Sequence, residues 1–410
     1  MRLLQRLRGQ SVFAWAFADQ IVSSAGNVLL LSQLSRGLGV KKFGVIAVVY
    51  GVILIIVAFF RALLSEVINS ATHQEAQRDA ADRAARILTL IASLIIICAS
   101  IIAMVVAGTT VALLLVLALG VILIQDRVRW EWIYRRKTRQ AFLIDATWTA
   151  GQVAFLAVFS ASILSPNPKM AVVAWIFGAL LSLVWVRRLH SSTTIRRAFR
   201  WAQAHAHASL SAGAQSLVVN GFGYVPAFIF LALGDPKWSA GYVVANSVLG
   251  LQVAMVASFR PLLFRRFAES RGHETWQSIA RVCAAMSGLS IFISLASIIA
   301  LAVIGKSIYG AAASIALTMT IWIAVRQAFG SSSIVLLGVL RARGGWSKGL
   351  LGEVLTAIEL LVFMVIAGLT LGVAWVTPAQ ALGAGVSLGI WTILLRSTRA
   401  PGMNESPHED

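Results

Sequence analysis

Long apolar runs dominate this sequence and decide what it can fold into. Hydrophobic residues make up 58% of the 410 residues and charged residues only 12%, whereas soluble domains carry about 25% charged residues. A chain this apolar needs a lipid bilayer as its solvent. Each helical span requires about 20 apolar residues, and its backbone hydrogen bonds must close within the segment. The sequence therefore predicts an all-α integral membrane protein.

Twelve runs are long enough to be transmembrane helices. The tenth run, 309–341, exceeds the length of a simple span and predicts one tilted or broken helix. The first run follows three arginines and is too long for the apolar part of a secretory signal, so it predicts an uncleaved first helix. The runs are 12–35, 43–66, 86–107, 109–125, 141–165, 170–187, 208–233, 238–260, 282–305, 309–341, 349–371 and 378–396.

Basic residues fall unequally on the two sides that twelve spans create. Of the 35 lysines and arginines, 28 sort to the side that holds both termini and six to the other side, while Arg326 lies within a run. Cytoplasmic loops are enriched in lysine and arginine, so both termini are predicted to be cytoplasmic. The net charge of +19 then reflects orientation and contact with the lipid surface rather than nucleic-acid binding.

A weak internal repeat relates the two halves of the chain. At an offset of 197, the polar residues of the first run fall on polar residues of the seventh, and Arg61 matches Arg260 at an offset of 199. The repeat predicts two pseudo-symmetric six-helix bundles, 1–200 and 201–396, around a central cavity, followed by a disordered cytoplasmic tail, 397–410. The matched polar residues are Asp19, Ser23 and Asn27 with Ser216, Asn220 and Tyr224.

Ionisable or polar side chains inside spans are functional candidates, because each destabilises the span unless it is paired or hydrated. Arg326 has two readings, a cavity cation or a structural ion pair with Glu353 or Glu359. Two roles are also open for Arg61 and Arg260. They either bind a diphosphate together or simply anchor the ends of their helices. The candidates for the cavity are Asp19, Ser23, Asn27, Arg61, Asn220, Arg260 and Arg326, and those for ion coupling are Asp19, Asp145, Glu353 and Glu359.

Signatures of enzymes and metal sites are missing from the sequence. Cys98 and Cys283 lie far apart in separate apolar runs, and the six histidines lie in loops or tails without metal-ligand spacing. No nucleophile motif or phosphate-binding loop occurs. The sequence therefore predicts neither catalytic residues, nor a metal, nor a cofactor.

Several segments resemble one family in their order along the chain. The opening two runs and the eighth and tenth runs are similar to those of bacterial polysaccharide (Wzx-type) flippases. These flippases belong to the multidrug/oligosaccharidyl-lipid/polysaccharide exporter superfamily. The segments are Trp15-Ala16-Phe17-Ala18-Asp19-Gln20, Ser23-Ser24-Ala25-Gly26-Asn27, Phe60-Arg61-Ala62-Leu63-Leu64, Ala240-Gly241-Tyr242 with Ala245-Asn246, and Gly338-Val339-Leu340-Arg341.

The resemblance implies a transporter of the bacterial cytoplasmic membrane that works by alternating access. Its substrate would be a polyprenyl-diphosphate-linked oligosaccharide or another cell-envelope glycan precursor. Transport would be coupled to protons or sodium ions. The partners would include glycan polymerases or glycosyltransferases of the same pathway. Many relatives have fourteen spans rather than twelve, which leaves the subfamily open. The alternatives are a small-molecule or drug exporter of MATE-like or major-facilitator-like type and, less favoured, a membrane-embedded glycan polymerase or glycosyltransferase.

Overall fold

The computed structural model describes a helical chain in which two compact units are distinguished. One unit comprises Met1–Tyr224 with Tyr309–Ala311, and the other comprises Val225–Ile308 with Ala312–Asp410. No β-strand occurs in the described residues, which are 2–66, 75–108, 110–135, 137–159, 166–185, 194–250, 252–253, 255–256, 263, 267, 274–343 and 345–398.

Eight α-helices of the first unit lie in the described residues. They are α1 (Arg2–Leu38), α2 (Val40–Arg61), α3 (Glu75–Ala107), α4 (Val111–Tyr134), α5 (Thr138–Phe159), α6 (Pro168–Ser182), α7 (Ile195–Ala204) and α8 (Ala206–Gly221). A π-helical turn, Ala62–Glu66, continues α2. Two caps fix helix starts, since Thr110 accepts from the Leu113 amide and Asn167 accepts from the Met170 amide.

Six helices of the second unit have bounds within the described residues. They are α9 (Val225–Ala232), α10 (Pro236–Val248), α11 (Trp276–Tyr309), α12 (Ala312–Ala342), α13 (Trp346–Thr370) and α14 (Val376–Arg396). In this unit α12 packs against α10 and α14, and α13 packs against α14. Lys348 and Arg343 donate to carbonyl oxygens at the end of α14, where unpaired carbonyls favour cationic side chains.

The predicted membrane class is confirmed. Within the described ranges nine helices are long and apolar enough to cross a bilayer, and α8 with α9 adds a tenth if the two form one broken span. Each of the twelve predicted runs contains a described helix, and run 309–341 forms the continuous helix α12. The bundle bounds 1–200 and 201–396 stay predictions. Arg260 and the tail beyond residue 398 lie outside the described residues.

In the first unit, α4 is surrounded by other helices and carries the residues of the candidate site. It packs against α2, α3 and α6, while α1 packs against α5. The crossing of α5 and α6 is close because glycines face each other there. A Cβ atom on Gly178 would lie 2.3 Å from the Trp148 carbonyl oxygen, and one on Gly151 would lie 3.0 Å from the Gly178 Cα. Small residues at such crossings let helix backbones approach in membranes.

Candidate functional site

The last three turns of α4 carry a dense set of charged and polar side chains inside the first unit. Each of them is at most 7% exposed. The first half of the helix is apolar, and the polar residues follow it within the same continuous helix. Buried charges of this kind require partners. The residues are Gln125, Asp126, Arg127, Arg129 and Glu131.

Arg129 joins α4 to two carboxylates on two other helices. Its Nη2 atom donates to Asp19 on α1, and its Nε atom lies 3.0 Å from Asp145 Oδ2 on α5. Gln125 donates to the other oxygen of Asp145 at 2.9 Å, and the Ser23 hydroxyl also bonds this carboxylate. We call Asp19, Arg129 and Asp145 the carboxylate triad. In it, two acids contact one guanidinium. Counted with all three groups ionised, the triad carries one excess negative charge.

A second ion pair lies at the end of α2. Arg61 donates twice to Asp126, at 3.1 Å from Nε and 2.6 Å from Nη2. Its guanidinium also lies 4.8 Å from the centre of the Trp130 ring. The bidentate pair and the aromatic contact fix Arg61 in one orientation. Arg61 is therefore held by the protein itself, immediately before the π-helical turn.

A third group joins the start of α3 to the end of α4. Arg127 lies 2.6 Å and Arg135 lies 3.2 Å from Asp82. Glu131 accepts from Arg86 and lies 3.3 Å from Arg135. Counted over the described residues, three guanidiniums thus contact two carboxylates, which gives this set one excess positive charge. Its surplus is equal and opposite to that of the carboxylate triad.

Among the described residues, the three groups together contain five acids and five arginines, so the formal charge of this described set is zero. A cavity of about 10 Å³ beside Arg61, Thr89 and Asp126 has room for about one water molecule. The network is therefore closely packed, and its balance depends on the protonation of each carboxyl. A gained proton or sodium ion at the carboxylate triad would remove the local negative excess.

The structure brings together some of the predicted site residues and separates others. Asp19, Ser23 and Asp145 meet at the carboxylate triad, whereas Arg61 belongs to the second pair. Asn27 is half-buried further along α1. Asn220 on α8 donates to Ser216, whose hydroxyl donates to the Ala58 carbonyl on α2.

The second unit holds the remaining ionisable candidates. Glu353 lies 3.6 Å from Arg341, and Glu359 accepts from the Ser387 hydroxyl at 2.5 Å. Arg326 is half-buried on α12 and forms no ion pair within the described part of the chain. Neither Glu353 nor Glu359 pairs with Arg326 in this structure, and the role of Arg326 stays a prediction.

One prediction about the first unit is corrected. The fourth run was expected to end near residue 125 with its arginines in a loop, but α4 continues to Tyr134 and buries Arg127 and Arg129. Arg61 does lie at a helix end, where Asp126 binds it, and both of its proposed roles stay predictions. Sequence analysis missed the partners on α3 and α4. A detectable signal was the spacing of Asp126, Arg129 and neighbouring charges by three or four residues, which places charges on adjoining faces of one helix.

Comparisons with known proteins identify the fold. No protein-family profile matches the sequence, and no curated protein matches it. A multidrug resistance MATE family transporter of the MOP superfamily in an inward-facing conformation matches with a TM-score of 0.66 at 14% identity. The match covers 92% of this chain and 94% of that one.

Two further solved structures extend the comparison. The lipid II flippase MurJ in an inward closed conformation gives a TM-score of 0.64 at 12% identity, covering 94% of this chain and 87% of the other. A mutant of the Vibrio cholerae MATE transporter VcmN gives 0.61 at 12% identity, covering 95% and 98%. The chain therefore has the fold shared by MATE transporters and a lipid flippase of the MOP superfamily.

Proposed function

We propose that this protein is a secondary transporter of the cytoplasmic membrane whose carboxylate triad couples a proton or sodium ion to substrate movement. The observation that carries the proposal is the placement of Asp19 and Asp145 against the single guanidinium of Arg129. A buried site with one unmatched negative charge favours uptake of a cation. Because the three residues lie on α1, α4 and α5, cation binding would change how these helices attract one another.

Neutralising the triad supplies a physical link between ion binding and a conformational change. An ion shifts a conformational equilibrium only if its affinity differs between the two conformations. Without a bound cation, the two carboxylates of the triad repel one another and share the single guanidinium of Arg129. With a cation bound, one carboxylate is neutralised and the other forms an ion pair with Arg129. A conformation that brings α1 and α5 together would therefore bind the cation more tightly than one that separates them.

The substrate that we propose is a polyprenyl-diphosphate-linked oligosaccharide or another glycan precursor. The resemblance of the opening runs to polysaccharide flippases supports this assignment, and so does the structural likeness to a protein described as a lipid II flippase. Arg326 is a candidate for binding an anionic headgroup, because it lies half-buried on α12 without an ion pair among the described residues. Asn27, Asn220 and Arg260 remain candidates by sequence, whereas Arg61 would first have to leave Asp126.

Drug export is the second candidate, because two of the matching structures are MATE transporters. A transport assay in proteoliposomes separates the two functions. Outward movement of a short-chain polyprenyl-diphosphate N-acetylglucosamine would be followed by its accessibility to an added glycosyltransferase, and ethidium movement would be followed by fluorescence. Movement of the lipid but not of ethidium supports the flippase, and the reverse result would favour the exporter.

The role of the triad is tested in the same vesicles with imposed proton or sodium gradients. Asp145→Asn should abolish the stimulation of transport by the gradient. Asp235→Asn is a matched control, because Asp235 pairs with Lys237 outside the triad. If Asp145→Asn responds to the gradient as the unsubstituted protein does, the coupling role is wrong whichever substrate is carried.

A further inference from the structure

A short helix of the first unit has the properties of a membrane-surface element. Helix α7 contains ten residues, Ile195–Ala204, and is therefore about 15 Å long. That is half of what a bilayer span requires. Its sequence places arginines on one side and apolar residues on the other, and such amphipathic helices lie in the plane of a membrane interface.

Part of the apolar side fixes α7 to the protein. Ala198 is fully buried, and Trp201 packs against Leu64, Ala81 and Ala85 at the junction of the π-helical turn and α3. The Trp201 ring also stacks on His205, with centroids 4.9 Å apart. Trp201 therefore holds the helix at the charged end of α3.

The rest of the apolar side is uncovered. Ile195 is 59% exposed and Phe199, one turn later, is 49% exposed. Further along α3, Leu94 and Ile95 are also more than half exposed, as expected for side chains that face lipid. Because Trp201 contacts α3 near Ala81 and Ala85, about three turns before these residues, α7 lies at the level where lipid headgroups would meet α3.

The polar side carries three exposed arginines, Arg196, Arg197 and Arg200. In the described part of the chain none of the three has an acidic partner, in contrast to the arginines of the buried network. Three unneutralised guanidiniums beside two exposed apolar side chains match the chemistry of an anionic phospholipid, whose phosphate lies above its acyl chains.

We propose that α7 binds anionic phospholipid headgroups through Arg196, Arg197 and Arg200 while Ile195 and Phe199 insert among the acyl chains. The occupant is the annular lipid of the membrane surface, not the transported substrate. Through Trp201 the bound lipid would hold α7 on α3, the helix that supplies Asp82 and Arg86 to the charged network. The lipid composition of the membrane would thereby affect the charged network through the packing of α7 on α3.

Competitive lipid retention tests the arginines directly. The full chain would be placed in nanodiscs with equal parts phosphatidylcholine and phosphatidylglycerol, and the lipids retained after extraction would be counted by native mass spectrometry. Preference for phosphatidylglycerol should fall by about fivefold for each arginine replaced by glutamine at low salt. The variant with all three arginines replaced by lysine should keep most of the preference, because the attraction to the surface depends on charge.

A matched control is the double variant Lys41→Gln/Lys42→Gln, which removes exposed charges at the start of α2. It should leave the preference for phosphatidylglycerol within about twofold of the unsubstituted value, because these lysines lie outside the proposed site, whereas each charge that binds a headgroup there should contribute about fivefold. If the triple glutamine variant loses no more preference than this control, the proposal is overturned. Soluble inorganic phosphate added as a competitor of the lipid separates a headgroup site from a general anion site. If phosphate leaves the retention of phosphatidylglycerol unchanged, the lipid-binding proposal is supported. If phosphate abolishes this retention, the proposed insertion is overturned.

Spin labels test the insertion independently of lipid chemistry and of transport. With Cys98 and Cys283 replaced by alanine, nitroxides would be attached at Phe199→Cys or at Ala204→Cys, which is exposed on the other side of the helix. The label at 199 should be relaxed mainly by oxygen dissolved in the bilayer, and the label at 204 by a water-soluble nickel chelate. Equal access of the nickel chelate to both labels would overturn the proposal.

Discussion

The Arg129 Nε atom on α4 lies 3.0 Å from the Asp145 Oδ2 atom on α5. This contact is an electrostatic one, since the same oxygen lacks a well-directed hydrogen bond. Asp19 receives the better-directed bond from the same guanidinium. Two acids thus compete for one cation at a site that is almost free of solvent, and that competition makes the triad sensitive to a single proton.

Arg129→Gln should destabilise the protein strongly, because it leaves two buried carboxylates without a cation. Removing one partner of a buried ion pair typically costs about 3–5 kcal/mol. Asp145→Asn should have a much smaller effect, since Arg129 and Asp19 remain as a balanced pair. Thermal unfolding in detergent, followed by tryptophan fluorescence, measures both.

The asymmetry between the two substitutions is the informative result. Arg127→Gln offers a control in the third group, where three arginines share two acids and Asp82 keeps Arg135. Its effect should be smaller than that of Arg129→Gln. Equal losses for Arg129→Gln and Asp145→Asn would contradict the charge count.

The two partners in the pair of Arg61 with Asp126 differ in exposure, since the Arg61 side chain is 28% exposed and that of Asp126 is 10% exposed. Arg61→Gln leaves a largely buried carboxylate, so it should cost more than an exposed pair, about 0.2–1 kcal/mol, and less than a fully buried one, about 3–5 kcal/mol. Asp126→Asn should cost less and should free Arg61 to bind anions. Binding of pyrophosphate, measured by calorimetry, should strengthen in Asp126→Asn and be absent in Arg61→Gln. Unchanged pyrophosphate binding in both variants would show that Arg61 is a structural residue only.

Glu359 and Ser387 provide a test in the second unit. The Ser387 hydroxyl donates to one oxygen of Glu359, and the other oxygen is buried without a hydrogen bond in the described structure. Glu359→Gln keeps the acceptor and removes the charge, so it should leave stability unchanged or raise it. Ser387→Ala removes the donor and should cost about 1–3 kcal/mol. A larger loss for Glu359→Gln than for Ser387→Ala, measured by thermal unfolding, would mean that the charge itself is needed.

The helices of this fold are predictable from sequence because the bilayer dictates them. Twelve apolar runs matched twelve helical regions, since a backbone in hydrocarbon must close its own hydrogen bonds. Asp19, which the sequence singles out as a polar residue within an apolar run, is buried in the structure. The break between α8 and α9 was not predicted, because residues 222–224 differ little in hydropathy from their neighbours.

The partners inside the candidate site could not be read from the sequence. Asp19 and Arg129 are 110 residues apart, and only the packing of α1, α4 and α5 brings them together. Sorting arginines by side also assumed that arginine marks a loop, so Arg127 and Arg129 were assigned to one. Burial of an arginine depends on whether an acid faces it, and that is a property of the tertiary structure.

The crossing of α5 and α6 should be sensitive to a single methyl group. An added Cβ on Gly178 would meet the Trp148 backbone oxygen at 2.3 Å, and a backbone atom cannot rotate away as a side chain can. Gly178→Ala should therefore destabilise by about 1–3 kcal/mol through forced separation of the helices.

Gly288 on α11 is the matched control, because a Cβ there would meet no atom within 4 Å. Gly288→Ala should stabilise by about 0.5–1 kcal/mol, since alanine loses less backbone entropy in a helix. Opposite shifts of the unfolding temperature for the two glycine-to-alanine changes are expected. Since both changes add one methyl group, shifts of the same sign and size would mean that the close approach of α5 and α6 does not limit stability.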